Sequence, residues 1–195
     1  MILVANHPYG AGLLLEVPLL GEMMEGIRRD FRFLADAGKI FNSPFSEFLI
    51  PIVLPRDPQP AGANRKSIRT AIRWLRSGGL VVVFPAGTVA ARPFPTFKLT
   101  EPPWTDIASV MARWSDAKVV PVFFHGSNHW MFYLARMLHR ELSYLTQAWQ
   151  TIRRKRRVVR ISIGPPLQPQ SLIAQRGLQY ATSDLRSQTL GLGAK

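Results

Sequence analysis

The amino-acid sequence predicts a single α/β domain with a largely parallel central sheet flanked by helices. Three observations carry this. Strand-sized apolar runs alternate with helical segments along the whole chain, the pattern of strand–helix–strand crossovers. Two of those runs, LVVVF at 80–84 and, within KVVPVFF at 118–124, the six residues after Lys118, are continuously apolar, as strands covered on both faces are. The 195 residues, 47% of them hydrophobic and 19% charged, supply one packed core.

The elements follow in order. Residues 1–5 form a short strand that ends at the turn signal Asn6-His7-Pro8-Tyr9-Gly10. Residues 13–29, apolar with Glu16, Glu22 and Glu25 interspersed, predict a helix interrupted near Pro18. A weak strand spans 31–35, a short helix broken by Pro44 spans 39–48, and LIPIVL at 49–54 is a strand. After a Pro/Gly-rich loop at 55–62, Ile68, Ile72 and Leu75 recur at spacings of four and three between arginines, giving an amphipathic helix over 64–77 that Gly78-Gly79 stops. The strand at 80–84 leads into a loop over 85–103 that holds five prolines. A helix over 104–115, a strand over 118–124, a long helix over 131–154 and a strand over 158–163 complete the pattern. The folded unit spans 1–167. The polar segment 168–195 reads as a C-terminal tail, ordered in part at best.

Composition excludes several classes. No stretch reaches the roughly 18 apolar residues of a membrane-spanning helix, so a multi-span protein is excluded. No cysteine is present, which removes disulfides, cysteine-ligated zinc and cysteine nucleophiles. The first residues carry no basic region before their apolar run and do not read as a signal peptide. Twenty-five Lys and Arg against 12 Asp and Glu give a formal charge of +13, a field that attracts anionic lipid, nucleic acid or acidic protein. Residues 1–55 hold four basic and six acidic groups, so the excess lies beyond them and is mostly arginine, which suits phosphate and carboxylate recognition.

Three loops that follow strands carry the candidate chemistry. His7 sits at a strand-to-helix turn, as a general base would, or as an ordinary loop histidine. Phe84-Pro85-Ala86-Gly87-Thr88 offers exposed backbone N–H groups and a hydroxyl for a polar substrate, or is a plain turn. In the third loop His125 and Asn128 follow a strand containing Pro121, which suggests a bulge or an edge. Either they contact substrate or they cap the next helix. In a parallel sheet all three loops gather on one edge.

NHPYG, LIPIVLPRD, FPAGT and VVPVFFHGSN occur in the order and spacing of the four motif blocks of the glycerolipid (lysophospholipid) acyltransferases, and over about residues 2–167 the sequence resembles that family. EPPW together with PVFFHGSN resembles its hemolysin-like branch, which contains lyso-ornithine lipid acyltransferases. The resemblance implies an O-acyltransferase without metal or bound cofactor. His7 would deprotonate an acceptor hydroxyl, which then attacks the thioester of acyl-CoA or acyl-carrier protein. Phe84, Pro85, Ala86, Gly87 and Thr88 would line the acceptor head-group pocket, with Arg56 as a charged partner and Asn6, His125 and Asn128 as further substrate contacts. The block around Pro121 would pack beside the acyl site. A catalytically weak or inactive lipid-binding homologue is the alternative, and a basic nucleic-acid-binding protein a remote one.

The sequence departs from the family in three places. Gly12 and Leu13 stand where the motif aspartate belongs. Glu16 lies one turn on along the same helical face, and helical side chains lean toward the N-terminus, so Glu16 is the expected catalytic partner of His7; otherwise it is a solvated charge. Ala86 and Val89 replace the Glu and Arg of phosphatidate-forming relatives, which fits an acceptor without a phosphate. The family has a membrane-proximal segment before its histidine, whereas here the first strand begins at Met1. The run Arg153-Arg154-Lys155-Arg156-Arg157 is read as an anchor on an anionic membrane, with a solvated helix end and a nucleic-acid patch as the alternatives. Trp130, Phe132, Tyr133 and Trp149 on the preceding helix would seat at the interface. The expected location is the cytoplasmic face of the membrane, peripherally bound, with a lyso-lipid acceptor and no nucleic-acid partner.

Overall fold

The computed structural model describes residues 1–9, 16–37, 46–53, 62–93, 96–139, 142–143, 145–147, 149 and 158–194. Gly12, Leu13, Arg56, residues 39–45 of the helix predicted over 39–48, and the basic run Arg153, Arg154, Lys155, Arg156 and Arg157 lie outside the described residues; the end of that predicted helix, Ser46–Phe48, is a 3-10 turn.

Among the described residues six strands form one sheet: β1 (Ile2–Ala5), β2 (Phe31–Asp36), β3 (Leu49–Ile52), β4 (Leu80–Val83), β5 (Val119–Phe124) and β6 (Ile161–Ile163), in the order β3-β2-β4-β1-β5-β6. All pairings are parallel except that of β5 with β6. Each predicted strand is present. The apolar runs cover both faces because successive side chains alternate. Ile2, Val4, Val81, Val83 and Val119 face one layer, against Ala71 and Leu75 of α2 (Arg65–Arg76), Ala108 and Met111 of α3 (Ile107–Ser115), and Leu185. Leu3, Ala5, Val82, Val120 and Val122 face the other, against Leu20 and Met24 of α1 (Glu16–Glu25). The helix after β1 thus covers one face and the helices before and after β4 the other. β1 and β4 are thus neighbours whose following helices lie on opposite faces, and in such sheets sites gather at the carboxyl ends of strands so related.

Proline placement follows the ladder. Pro51 lies in the edge strand β3, where no further strand needs its missing N–H. Pro121 lies inside β5, and the expected bulge is opposite it. Val122 pairs with Ile163, but Val119 bridges to Leu167, so the β6 side has one residue more between the two pairs. Gly164 donates to the Pro121 carbonyl at 2.9 Å, and a Cβ on Gly164 would lie 2.7 Å from the Pro121 ring, so only glycine fits.

Three expectations need correction. Pro18 does not interrupt α1: it falls in the first turn of the helix, where its missing amide is not required. The long helix is broken near its middle, and the described residues 142–143, 145–147 and 149 beyond the break are helical again. α4 (Trp130–Leu138) stops at His139, which is extended at φ −161° and ψ 137°, although no proline or glycine marks the break. The segment 168–195, expected to be ordered in part, carries α5 (Gln170–Arg176), α6 (Leu178–Gly191) and a 3-10 turn at Leu192–Ala194. Ala181, Leu185 and Thr189, spaced by four, are all buried, and Thr182 bonds Ser109 of α3 at 2.7 Å. This segment is part of the core.

Candidate functional site

β1 lies between β4 and β5, so the loops after these strands meet at one edge. Asn6 fixes the start of the first loop. Its side chain donates to the Phe124 carbonyl at 3.1 Å and accepts from the Phe124 amide at 2.7 Å. Asn128 secures the same loop from the other strand, donating to the carbonyls of Pro8 and Tyr9 at 3.3 and 2.7 Å. Gln147 adds a bond to the Tyr9 carbonyl at 3.0 Å. Both asparagines are buried. Asn6 and Asn128, expected as substrate contacts, use their amides to brace the loop that presents His7.

His7 is held at four points. Its Nδ1 lies 3.0 Å from Glu16 Oε1, with the Glu16 side chain fully buried and the His7 side chain 14% exposed. The same Glu16 oxygen accepts the Tyr9 amide at 3.0 Å. The His7 amide donates to the Glu101 carboxylate at 3.3 Å, and the His7 carbonyl accepts from Ala90 at 3.0 Å. The ring packs on Phe84, centroid to centroid at 4.8 Å. An Nδ1–H donated to a carboxylate leaves Nε2 with the ring's lone pair, the arrangement a general base needs. Glu16 is thus no solvated charge. The helix start places its long side chain back over the loop, as the lean of helical side chains expects.

Glu101, which opens the EPPW stretch, is the residue that sequence reasoning left without a role. It is 8% exposed, accepts from His7 and from the Trp104 indole at 3.4 Å, and its carbonyl receives Arg186 of α6 at 2.7 Å. Burial pushes its carboxyl above the ordinary glutamate range, while the His7 amide bond and the nearby His7 and Arg186 charges pull it partly back. The native state therefore holds this proton longer than the unfolded chain does. Stability is full below the ordinary glutamate range and falls as pH rises through Glu101's raised value. Glu101→Gln keeps an acceptor for His7 and should remove that decline. Urea midpoints of the two proteins, compared across the acid range, check this; parallel profiles would show that Glu101 does not titrate there.

The FPAGT loop lies beside His7. Phe84 supplies the ring contact, the Pro85 carbonyl accepts from the Thr105 amide and hydroxyl at 3.0 Å each, and Gly87 adopts φ +62°. Ala86 and Val89 are buried. Thr88 receives Arg136 of α4 at 3.3 Å, a cation that the motif pattern did not reveal. His125 is not drawn to the His7–Glu16 pair through its ring: Nε2 bonds Ser162 of β6 at 2.8 Å, and its carbonyl accepts the Tyr9 hydroxyl. At Gly126, φ is +105° and a Cβ would fall on the Tyr9 hydroxyl. Gly126→Ala should cost about 1–3 kcal/mol through backbone strain alone, read as a lowered urea midpoint; an unchanged midpoint would show that the loop yields freely. Among the described residues no group of three His, Asp or Glu side chains stands close enough to hold a metal ion. A separate apolar cavity of about 510 Å³ lies between α1 and the strands β2 and β3, lined by Val17, Pro18, Gly21, Phe31, Phe33 and Phe48 among others.

No family model matches the chain, and no curated protein matches it either. Among solved structures it is similar to the crystal structure of the 1-acyl-sn-glycerophosphate (LPA) acyltransferase PlsC from Thermotoga maritima. The TM-score is 0.55 at 20% sequence identity, and the match covers 100% of this chain and 67% of that one. This establishes a shared α/β architecture, the glycerolipid-acyltransferase fold.

Proposed function

We propose that this protein transfers an acyl group from an acyl thioester, on CoA or acyl-carrier protein, to the hydroxyl of a lyso-lipid, with His7 as general base and Glu16 as its carboxylate partner. The observation that carries the reading is the His7–Glu16 contact of 3.0 Å at the carboxyl end of β1, beside the FPAGT loop. The motif resemblance and the shared fold support it. The acceptor O–H gives its proton to His7 Nε2 as its oxygen attacks the thioester carbonyl carbon. The C–S bond then breaks, and the imidazolium returns the proton to the leaving thiolate. Glu16 holds the tautomer and steadies the imidazolium between these steps. Ala86 and Val89 put apolar side chains where a phosphate-binding pair would stand, which favours an acceptor such as a lyso-ornithine lipid, in line with the hemolysin-like motifs.

The test is transfer of a radiolabelled acyl chain from acyl-CoA and from acyl-carrier protein to a total lyso-lipid extract, followed by separation of lipid products. A labelled diacyl product, formed best with a phosphate-free acceptor, is expected. No labelled lipid from either donor would overturn the reading.

A further inference from the structure

We propose that Arg136 of α4, with Arg92 and the Tyr133 hydroxyl, binds the acceptor through a carboxylate carried by its head group. Assigning this ligand to the acceptor rests on the acyl-transfer reading above. Phe132 and Tyr133, expected at a membrane interface, are instead buried with Val89 of the loop that follows β4. Tyr133 and Arg136 are spaced i to i+3, so they lie on one side of α4. Arg136 donates to the Thr88 hydroxyl at 3.3 Å, and Tyr133 packs against the next residue, Val89. Arg92, further along the loop, places its guanidinium 5.2 Å from the centre of the Tyr133 ring. The amide of Ala90, between Thr88 and Arg92, donates to the His7 carbonyl at 3.0 Å. Two guanidinium groups and a phenol thus gather on the stretch of chain that is tied to the base.

The protein does not itself match these charges. Among the described residues neither guanidinium is paired with a carboxylate. Arg136 is half-buried and donates there only to Thr88; Arg92 is half-buried and donates to the Phe97 carbonyl at 2.9 Å. Glu101 is engaged elsewhere, since its carboxylate accepts the His7 amide and the Trp104 indole. Tyr133 is 7% exposed, and its hydroxyl is buried without a hydrogen-bond partner. A buried polar group in that state destabilises the fold, so native structures keep few of them and each has a cause. A guanidinium with N–H groups to spare and an orphaned phenol one helical turn away suit an anion that accepts from both.

The donors also select the kind of anion. An arginine fork takes two coplanar oxygens side by side, the geometry of a carboxylate. A phosphate brings more charge and more oxygens, and the two motif positions that would hold it carry the buried apolar side chains of Ala86 and Val89. The cation comes instead from α4, outside every motif block. Arg136 takes no proton in the reaction. It decides which acceptor is held at the FPAGT loop, and so acts as a specificity residue.

The probes are short-chain, water-soluble forms of lyso-ornithine lipid, its carboxyl methyl ester and lysophosphatidic acid. Binding is measured by calorimetry without donor, and transfer with labelled acyl-CoA and acyl-carrier protein. The native chain should bind the free acid at least about tenfold more tightly than the ester. Arg136→Gln should cut this acid–ester ratio to about twofold or less at a native thermal midpoint, and Arg136→Lys should restore part of it. Tyr133→Phe should lower the ratio about threefold or more without lowering the midpoint, since the hydroxyl it removes has no partner within the protein. In transfer, Arg136→Gln should raise KM for the free acid by a larger factor than it lowers kcat. Equal affinity of the native chain for acid and ester overturns the proposal. So does an Arg136→Gln variant that loses both ligands alike and melts early, which would make Arg136 a strut for the Thr88 loop. Tighter native binding of lysophosphatidic acid than of the free acid, lost in Arg136→Gln, would assign the cations to a phosphate and overturn it too. The two readings fail separately. Acid–ester discrimination in binding with no labelled product sinks acyl transfer and leaves the carboxylate site, whereas labelled product without discrimination sinks the carboxylate site alone.

Discussion

Replacing His7 by alanine is expected to lower kcat/KM for acyl transfer by about 100- to 10,000-fold, the usual worth of a positioned general base. The effect should be confined to chemistry. The loop is held by the Asn6 and Asn128 braces and by backbone bonds at His7 itself, to Glu101 and from Ala90, all of which alanine retains. What alanine removes is the ring: its contact with Phe84, its bond to Glu16 and its proton acceptor. His7→Asn separates these contributions. Its amide reaches about as far as Nδ1 and can still donate to Glu16, but it accepts no proton at pH 7. Comparable losses in both variants, with circular dichroism and thermal midpoints close to native, would identify the lost base as the cause. Turnover within a factor of about two of native in either variant would remove His7 from the mechanism.

The sheet was legible in the sequence because its strands are short, continuous and separated by helix-sized segments, so their count and parallel character follow from spacing. The order β3-β2-β4-β1-β5-β6 did not follow, and it decides which loops meet. For that reason Asn6 and Asn128 stood out as motif residues but not as braces: their partners are 118 to 120 residues away in the chain. Glu101 was hidden in the same way, since its bond to the His7 amide spans 94 residues. The C-terminal segment was misread on composition. It is polar on average, yet Ala181, Leu185 and Thr189 at spacings of four are buried against the core, where tertiary packing, rather than its weak amphipathicity, fixes the helices. The aromatic residues of α4 divide by helical angle. Trp130 faces out and Phe132 faces in, a distinction that type alone does not make.

Glu16→Gln is expected to reduce kcat by about 100-fold or more while leaving the fold in place, which is the second large effect. The contact that makes this expectation specific is short and local. Glu16 Oε1 joins His7 Nδ1 to the Tyr9 amide, so one oxygen sets both the ring and the loop that carries it. Glutamine is nearly isosteric and can keep the Tyr9 bond through its carbonyl, so a merely structural Glu16 would lose little on substitution. A Glu16 that stabilises the imidazolium would lose the charge that does so. The signature is a fall in kcat with KM nearly unchanged, because the imidazolium exists only along the reaction path. Glu16→Asp supplies the second reading. It restores the charge one methylene short, so its activity should lie between native and the glutamine variant. Native kcat in Glu16→Gln, with the protein folded, would separate His7 from any carboxylate partner and leave the 3.0 Å contact as packing alone.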